Sequence, residues 1–316
     1  MTHHLVVGAG PIGSATARRL AESGERVVLV SRSGRGPEHP AIERRGLDAT
    51  DAARLLDAAT DATTLYNCAN PAYHHWPTDW PPIAAALLAA AERTGAVLAT
   101  VSNLYGYGPV DGPMTEDLPL AATGHKGRVR ARMYADALAA HEAGRLRMTE
   151  VRGSDYVGPG AQSHLGERVV PRLLAGRGVS VLGDPDQPHS WTFTDDVARL
   201  LVTAARDERA WGRAWHVPSN PARTQREAIG DLARVAGVHM VSVRALPQAL
   251  LRALGIVNPV MRELQETSYQ FDRPFVMESQ AAEATFGLRP TPWDEVLTAS
   301  LRSYGWTPAA GRAVSA

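Results

Sequence analysis

The chain has 316 residues, 44% hydrophobic and 21% charged, with 33 Lys+Arg balanced by 33 Asp+Glu. This is an ordinary soluble-globular composition, enough for one large domain or two modest ones, and zero net charge gives no reason to expect a nucleic-acid or anionic-membrane partner. The single cysteine, Cys68, excludes an internal disulfide framework and suits a reducing compartment, and no apolar run approaches the ~20 residues that span a bilayer.

The chain enters an apolar strand at once ("HHLVVGAG") without a basic leader, so the expectation is a cytoplasmic protein, monomer or homodimer, with a small-molecule partner. Short β-branched runs then alternate with Ala/Leu/Arg-rich stretches. Strands are expected at 5–7, 27–30, 42–44, 64–67, 96–101 and 147–152, with helices between them. The clearest helices, "PPIAAALLAAAERTG" and "VRARMYADALAAHEAG", each end at a glycine, Gly95 and Gly144. The pattern predicts an α/β fold, a doubly wound parallel (Rossmann) sheet. After Gly153 the texture changes to Gly- and Pro-rich pieces, and a strand near 215–217 is expected to rejoin the sheet. The predicted organisation is a dinucleotide-binding domain over 1–155, with 191–217 returning to it. A smaller C-terminal substrate lobe takes most of 156–190 and 218–316.

"VVGAGPIGSATARRL" sets Gly8, Gly10 and Gly13 as G-x-G-x-x-G between a strand and a helix, with Pro11 and Ile12 inside the motif. The first glycine permits a tight turn, the second lets backbone approach a pyrophosphate, and the third lets the helix pack close. The second strand ends in "VSRSGRG". An NAD site normally carries Asp or Glu there, about 20 residues past the glycines, to accept a ribose hydroxyl. Ser31, Arg32 and Ser33 stand here instead, a set that suits a 2′-phosphate and favours NADP(H) over NAD(H).

With "RRGLDATD", "LYNCANPAYHHW", "SNLYGYG", "RGSDYVGPG" and "WTFTDDVARLL" following in order, the chain resembles the extended or atypical short-chain dehydrogenase/reductases, the group that includes the NAD-dependent epimerase/dehydratases. The resemblance covers most of the first 200 residues. It implies that Asp48 contacts the adenine and that the strand-four end (Asn67, Cys68, Ala69, Asn70) lines the cofactor. It also implies that Asp155, where the family often has an Asn, touches substrate, with Tyr156 beside it. The pattern departs at the glycines, where Val7 takes the first position of the usual G-x-x-G-x-x-G. It departs again at catalysis: the hydroxyl residue four before Tyr105 is Val101, leaving Ser102 as a fallback donor, and the Tyr-x-x-x-Lys tyrosine is absent.

In its place "TGHKGRVRARM" offers Lys126 with Arg130 or Arg128 with Arg132. At ~100° per residue, Lys126 and Arg130 share a face with Val129, Met133, Ala137 and Ala140, while Arg128, Arg132 and Glu142 fall on the polar side. The inward pair is similar to the Lys-x-x-x-Arg of the NADPH-dependent isoflavone-reductase-like members. A lysine beside a cationic neighbour in a partly dry cleft can exchange a proton near neutral pH, so Lys126 is the expected acid/base and a cofactor contact, with Tyr105 or Ser102 as other catalytic candidates. His74 and Trp76, in a Pro-flanked loop after strand four, are candidate substrate contacts. His125 and His164 are further proton donors to consider, and Thr194 or Asp195 should cap the next helix. No His/Cys spacing suggests a metal. The leading expectation is an NADPH-dependent reductase of a small carbonyl, enone or imine. The alternatives are an epimerase, isomerase or dehydratase with bound NAD(P) on a sugar-like or polyketide-like substrate, and a non-catalytic NADP(H) sensor.

Overall fold

The computed structural model describes residues 3–247, 256, 263 and 265–308; part of the expected lobe (248–255, 257–262, 264 and 309–316) lies outside the described residues. Seven parallel strands form the central sheet: β1 (His3–Val7), β2 (Arg26–Ser31), β3 (Ile42–Gly46), β4 (Thr64–Asn67), β5 (Val97–Asn103), β6 (Arg147–Gly153) and β10 (Arg213–His216). Their order is β10-β6-β5-β4-β1-β2-β3, so the chain reverses direction across the sheet between β1 and β4. The crevice beyond the carboxyl ends of strands at such a reversal is where open α/β sheets bind ligands. The expected strand near 215–217 is found two residues earlier, pairing parallel to β6 with Trp215 opposite Val151.

The strands are apolar on both faces because both faces are covered. Leu5, Val7, Val28, Val30, Leu65, Leu98 and Met148 face α2 (Ala52–Ala58), α3 (Trp76–Thr94) and α4 (His125–Glu142). The alternate residues Val6, Val27, Leu29, Tyr66, Ala99, Val101 and Val151 face α1 (Pro11–Glu22) and α6 (Thr194–Arg206). A third core gathers Val157, Leu165, Leu173, Val181, Trp191, Ile229, Leu232 and Leu297 away from this sheet. It is built on α5 (Val170–Leu174), α7 (Gln225–Ala236) and the short parallel pairs β7 (Asp155–Val157) with β9 (Trp191–Phe193) and β8 (Val179–Val181) with β11 (Val243–Ala245).

Two helix starts differ from expectation. α3 begins at Trp76, so "WPTDWPP" is helical rather than loop: Pro77 sits in the first turn, where no intrahelical N–H bond is needed, and Pro81 and Pro82 are accommodated inside. At α6 the cap position belongs to Phe193, with no side-chain cap. Asp195 instead pairs with Arg19 at 2.8 Å, and buried Asp196 accepts hydrogen bonds from the Thr291 N–H (2.8 Å) and hydroxyl (2.7 Å). Among the described residues no helix is long and apolar enough to cross a membrane.

Candidate active site

The turn from β1 into α1 is built by its glycines. Gly8 has φ 105°, a left-handed conformation that favours glycine, and a Cβ on it would lie 2.4 Å from the Cys68 carbonyl oxygen at the end of β4. A Cβ on Gly13 would lie 1.8 Å from the Gly8 carbonyl oxygen, so α1 touches the turn without a side chain between them. Gly10 differs: nothing lies within 4 Å of its would-be Cβ. It is also the N-cap of α1, which has no side-chain cap, and Pro11 follows. The first turn of α1 therefore carries no side-chain cap, and Gly10 leaves the space beside it free of a side chain, a cradle for an anion at a helix N-terminus. These residues fit a dinucleotide pyrophosphate.

Arg32 and Ser33 lie exposed past β2, with no acidic side chain at the strand end. The Ser31 hydroxyl donates to the Arg35 carbonyl (3.0 Å) and shapes the loop. Asp48 takes the Thr50 N–H and hydroxyl at 2.9 and 2.8 Å; these bonds, then the Arg32 charge, hold its carboxyl below the usual range. Across the turn, the Asn67 side chain is buried and accepts from the Ala69 N–H (3.3 Å), while Asn70 is exposed. Cys68 is packed against Thr16, and burial pushes its thiol up to about 12, so it is no nucleophile.

On α4 the helical count is met. Lys126 and Arg130 are buried, and Arg128 and Arg132 are exposed. Gly127 lets this helix start against the Tyr105 turn, since a Cβ there would lie 2.5 Å from the Tyr105 carbonyl oxygen. The expected cationic neighbour is not at the Lys126 ammonium. Glu263 and Glu266 (3.5 Å) meet it, and Glu266 also accepts from the Lys126 N–H at 2.8 Å, capping α4 from a distant part of the chain. Arg130 turns away: its guanidinium lies over Trp76 (4.5 Å) and Trp80 (4.3 Å) and donates to the Val101 carbonyl at 3.4 Å. Desolvation lowers its pKa, and its buried Nε has no hydrogen-bond partner among the described residues.

The Lys126 ammonium also sits 4.5 Å from the centre of the Tyr73 ring. The Tyr73 hydroxyl donates to the Tyr105 hydroxyl (3.5 Å) and, with its proton so used, accepts from Thr267 at 3.0 Å. Burial raises both phenols, Tyr73 to about 12 and Tyr105 well above its ordinary value, the latter pushed further by Tyr73 and by the Asp155 carboxylate. Asp155 is bonded to His189 Nε2 at 2.6 Å, while His189 Nδ1 faces the Gln270 carbonyl at 3.1 Å. Burial opposes the Asp155 charge, but the His189 bond outweighs it and holds the carboxyl below the usual range.

The sequence-derived candidates thus separate. Tyr105 gathers with Lys126 around Tyr73, and Asp155 is near enough for its charge to act on Tyr105. Trp76 is a core side chain that donates from its indole to the Pro71 carbonyl (3.2 Å) and supports Arg130. His74 is exposed and stacked edge-on with His75 at 4.1 Å. The Tyr156 hydroxyl donates to the Ser102 carbonyl, tying β7 to β5, and Ser102 itself is buried in the strand. His125 bonds to Arg128 on the surface, and His164 packs edge-on against Phe271 at 4.6 Å. Tyr73, His189, Glu263, Glu266 and Thr267 were not legible as site residues. "AYHHW" contains Tyr73 but reads as a loop, and the other four meet their partners only through tertiary contact.

The model of the family described as "NAD dependent epimerase/dehydratase family" matches residues 4–217. No curated protein matches the chain. Among solved structures, DesIV, the dTDP-glucose 4,6-dehydratase of Streptomyces venezuelae with NAD and TYD bound, is 21% identical with a TM-score of 0.77, covering 96% of this chain and 97% of that one. The UDP-glucuronic acid 4-epimerase of Bacillus cereus is 19% identical (TM-score 0.77, 96% and 99% covered). The UDP-glucose 4-epimerase of Thermotoga maritima is 18% identical (TM-score 0.78, 96% and 99% covered). At these identities the likeness is one of fold.

Proposed function

Because the chain belongs to the NAD-dependent epimerase/dehydratase family, we propose that it is a nicotinamide-dependent epimerase or dehydratase acting on a sugar-like, hydroxyl-bearing small molecule. What supports this reading, beside the family, is the bare cradle at Gly10, together with a Tyr105 phenol close enough to Asp155 to feel its charge. A nicotinamide bound in this fold supplies the acceptor and donor of hydride. Gly8, Gly10, Gly13 and the start of α1 would hold the pyrophosphate, and Asp48 the adenine end. Arg32 and Ser33 would take a 2′-phosphate, which favours NADP(H).

The protein's own part is proton handling and positioning. Thr267 donates to Tyr73 and Tyr73 to Tyr105, which leaves the Tyr105 proton for a substrate oxygen. With its pKa raised, Tyr105 stays a neutral phenol at physiological pH and acts as the donor. Lys126, already met by two carboxylates, acts through the Tyr73 ring rather than on substrate. That arrangement supports an epimerase or dehydratase over the lysine-acid reductase.

Nicotinamide dinucleotides added to the purified protein with a panel of free and nucleotide-linked sugars test the proposal. The expected result is a dinucleotide-dependent change of sugar, seen by NMR as an inverted centre or a lost water. Turnover of simple carbonyls with net NADPH consumption, and none of sugars, would restore the reductase. Arg32→Ala should weaken NADP(H) by roughly tenfold and NAD(H) little; equal weakening of both rejects the phosphate assignment.

A further inference from the structure

His189 sits between two acceptors: the Gln270 carbonyl at 3.1 Å from Nδ1 and an Asp155 carboxyl oxygen at 2.6 Å from Nε2. Satisfying the carbonyl needs a hydrogen on Nδ1. The 2.6 Å contact needs another proton, held on either Nε2 or Asp155 Oδ2, because two lone pairs do not approach that closely. In both arrangements Asp155 Oδ1 carries no hydrogen. It has no hydrogen-bond partner among the described residues, the side chain keeps 14% of its surface exposed, and Tyr73, Tyr105, Tyr269 and His164 all feel its charge. The pair cannot swing. The His189 ring is stacked on Phe271 (4.7 Å, 11°) and Phe275 (5.3 Å, 25°), lies 4.6 Å from Trp191, and is 1% exposed.

We propose that Asp155, pinned by His189, is the specificity anchor of the candidate site: an acceptor-only oxygen that selects a ligand presenting a hydroxyl or ammonium donor and rejects one presenting a carboxylate there. Asp155 is the contact residue and His189 the positioning residue. An asparagine at the same place would offer a donor as well as an acceptor and would lose the distinction. The inference rests on the proposed action on a sugar-like molecule, and it adds what that molecule must present.

The test uses three probes of one size: D-glucose, D-glucosamine and D-glucuronate, titrated against the full-length protein with binding read by tryptophan fluorescence. D-glucose and D-glucosamine are expected to bind about tenfold or more tighter than D-glucuronate, as the loss of a hydrogen bond to a charged group implies. Asp155→Asn should reduce that gap to about twofold or less. His189→Gln should weaken D-glucose while keeping the discrimination, because the carboxylate remains but is no longer held. D-glucuronate binding as tightly as D-glucose, an undiminished gap in folded Asp155→Asn, or no binding of D-glucose or D-glucosamine would each overturn the proposal. If Asp155→Asn fails to fold, the order of the three probes on the unmodified protein decides. Dinucleotide binding, measured separately, keeps the two readings apart. Dinucleotide without sugar refutes the anchor alone, and sugars in the expected order without dinucleotide refute the nicotinamide-dependent function alone.

Discussion

Replacing Gly13 by alanine adds one methyl group at a point 1.8 Å from the Gly8 carbonyl oxygen. That oxygen belongs to a backbone held on its other side, since the Gly8 N–H donates to Val30 at 2.8 Å and Cys68 blocks any retreat toward β4. Relief therefore comes from α1 backing away from the sheet, which loosens the contacts of Ala17 and Leu20 with the core. Overpacking of this kind costs about 2 kcal/mol, or roughly 3–6 °C of melting temperature in a chain of this size. Thermal unfolding followed by circular dichroism measures it. Gly10→Ala is the internal control: the site is open and its backbone (φ −70°, ψ −175°) suits any residue, so its melting should stay within about 1 °C. Gly13→Ala melting with the wild type, or Gly10→Ala melting as low as Gly13→Ala, would refute the packing argument.

Two further outcomes follow from the same geometry. Tyr105→Phe should lower turnover by roughly 10²- to 10⁴-fold with dinucleotide affinity retained, whereas Lys126→Met should cost less turnover and more stability; the reverse ranking, in steady-state kinetics and thermal melts, restores Lys126 as the acid. Burial lowers the pKa of His4 and His216, which are 2% and 0% exposed, below the ordinary 6.5. The unfolded chain then binds protons first, so stability is complete above pH 6.5 and falls below it, by at most about 1.4 kcal/mol per pH unit for each histidine. Urea unfolding between pH 7 and pH 5 should show the decline, with a shallower slope in His216→Gln; flat stability over that range contradicts it.

Much of the fold was legible because it is local. The alternation of Val6 with Leu5 and Val7 places the sheet between two helix layers, and the three glycines announce the turn before α1. The inward face of α4 followed from helical periodicity alone. What the inward Lys126 would meet did not follow, because Glu263 and Glu266 stand 137 and 140 residues away. The Asp155–His189 pair spans 34 residues and depends on β7 lying beside β9, a pairing of three-residue strands too short to carry a pattern. Trp76 was misplaced in a loop because its prolines read as breakers, yet the helix tolerates them near its start. Local chemistry thus announced the glycine turn proposed to hold the cofactor, while the groups proposed to meet substrate come together only by tertiary contact.

The central claim is that the cradle at Gly10 holds a nicotinamide dinucleotide. Titration of NAD(H) and NADP(H) into the purified protein and into folded Gly10→Ala tests it most directly. The wild type should bind at least one of these dinucleotides saturably, and the variant, whose new methyl group occupies the space the pyrophosphate needs, should bind it roughly tenfold or more weakly at unchanged melting temperature. Absence of dinucleotide binding by the wild type, or equal affinity in Gly10→Ala, would contradict the account.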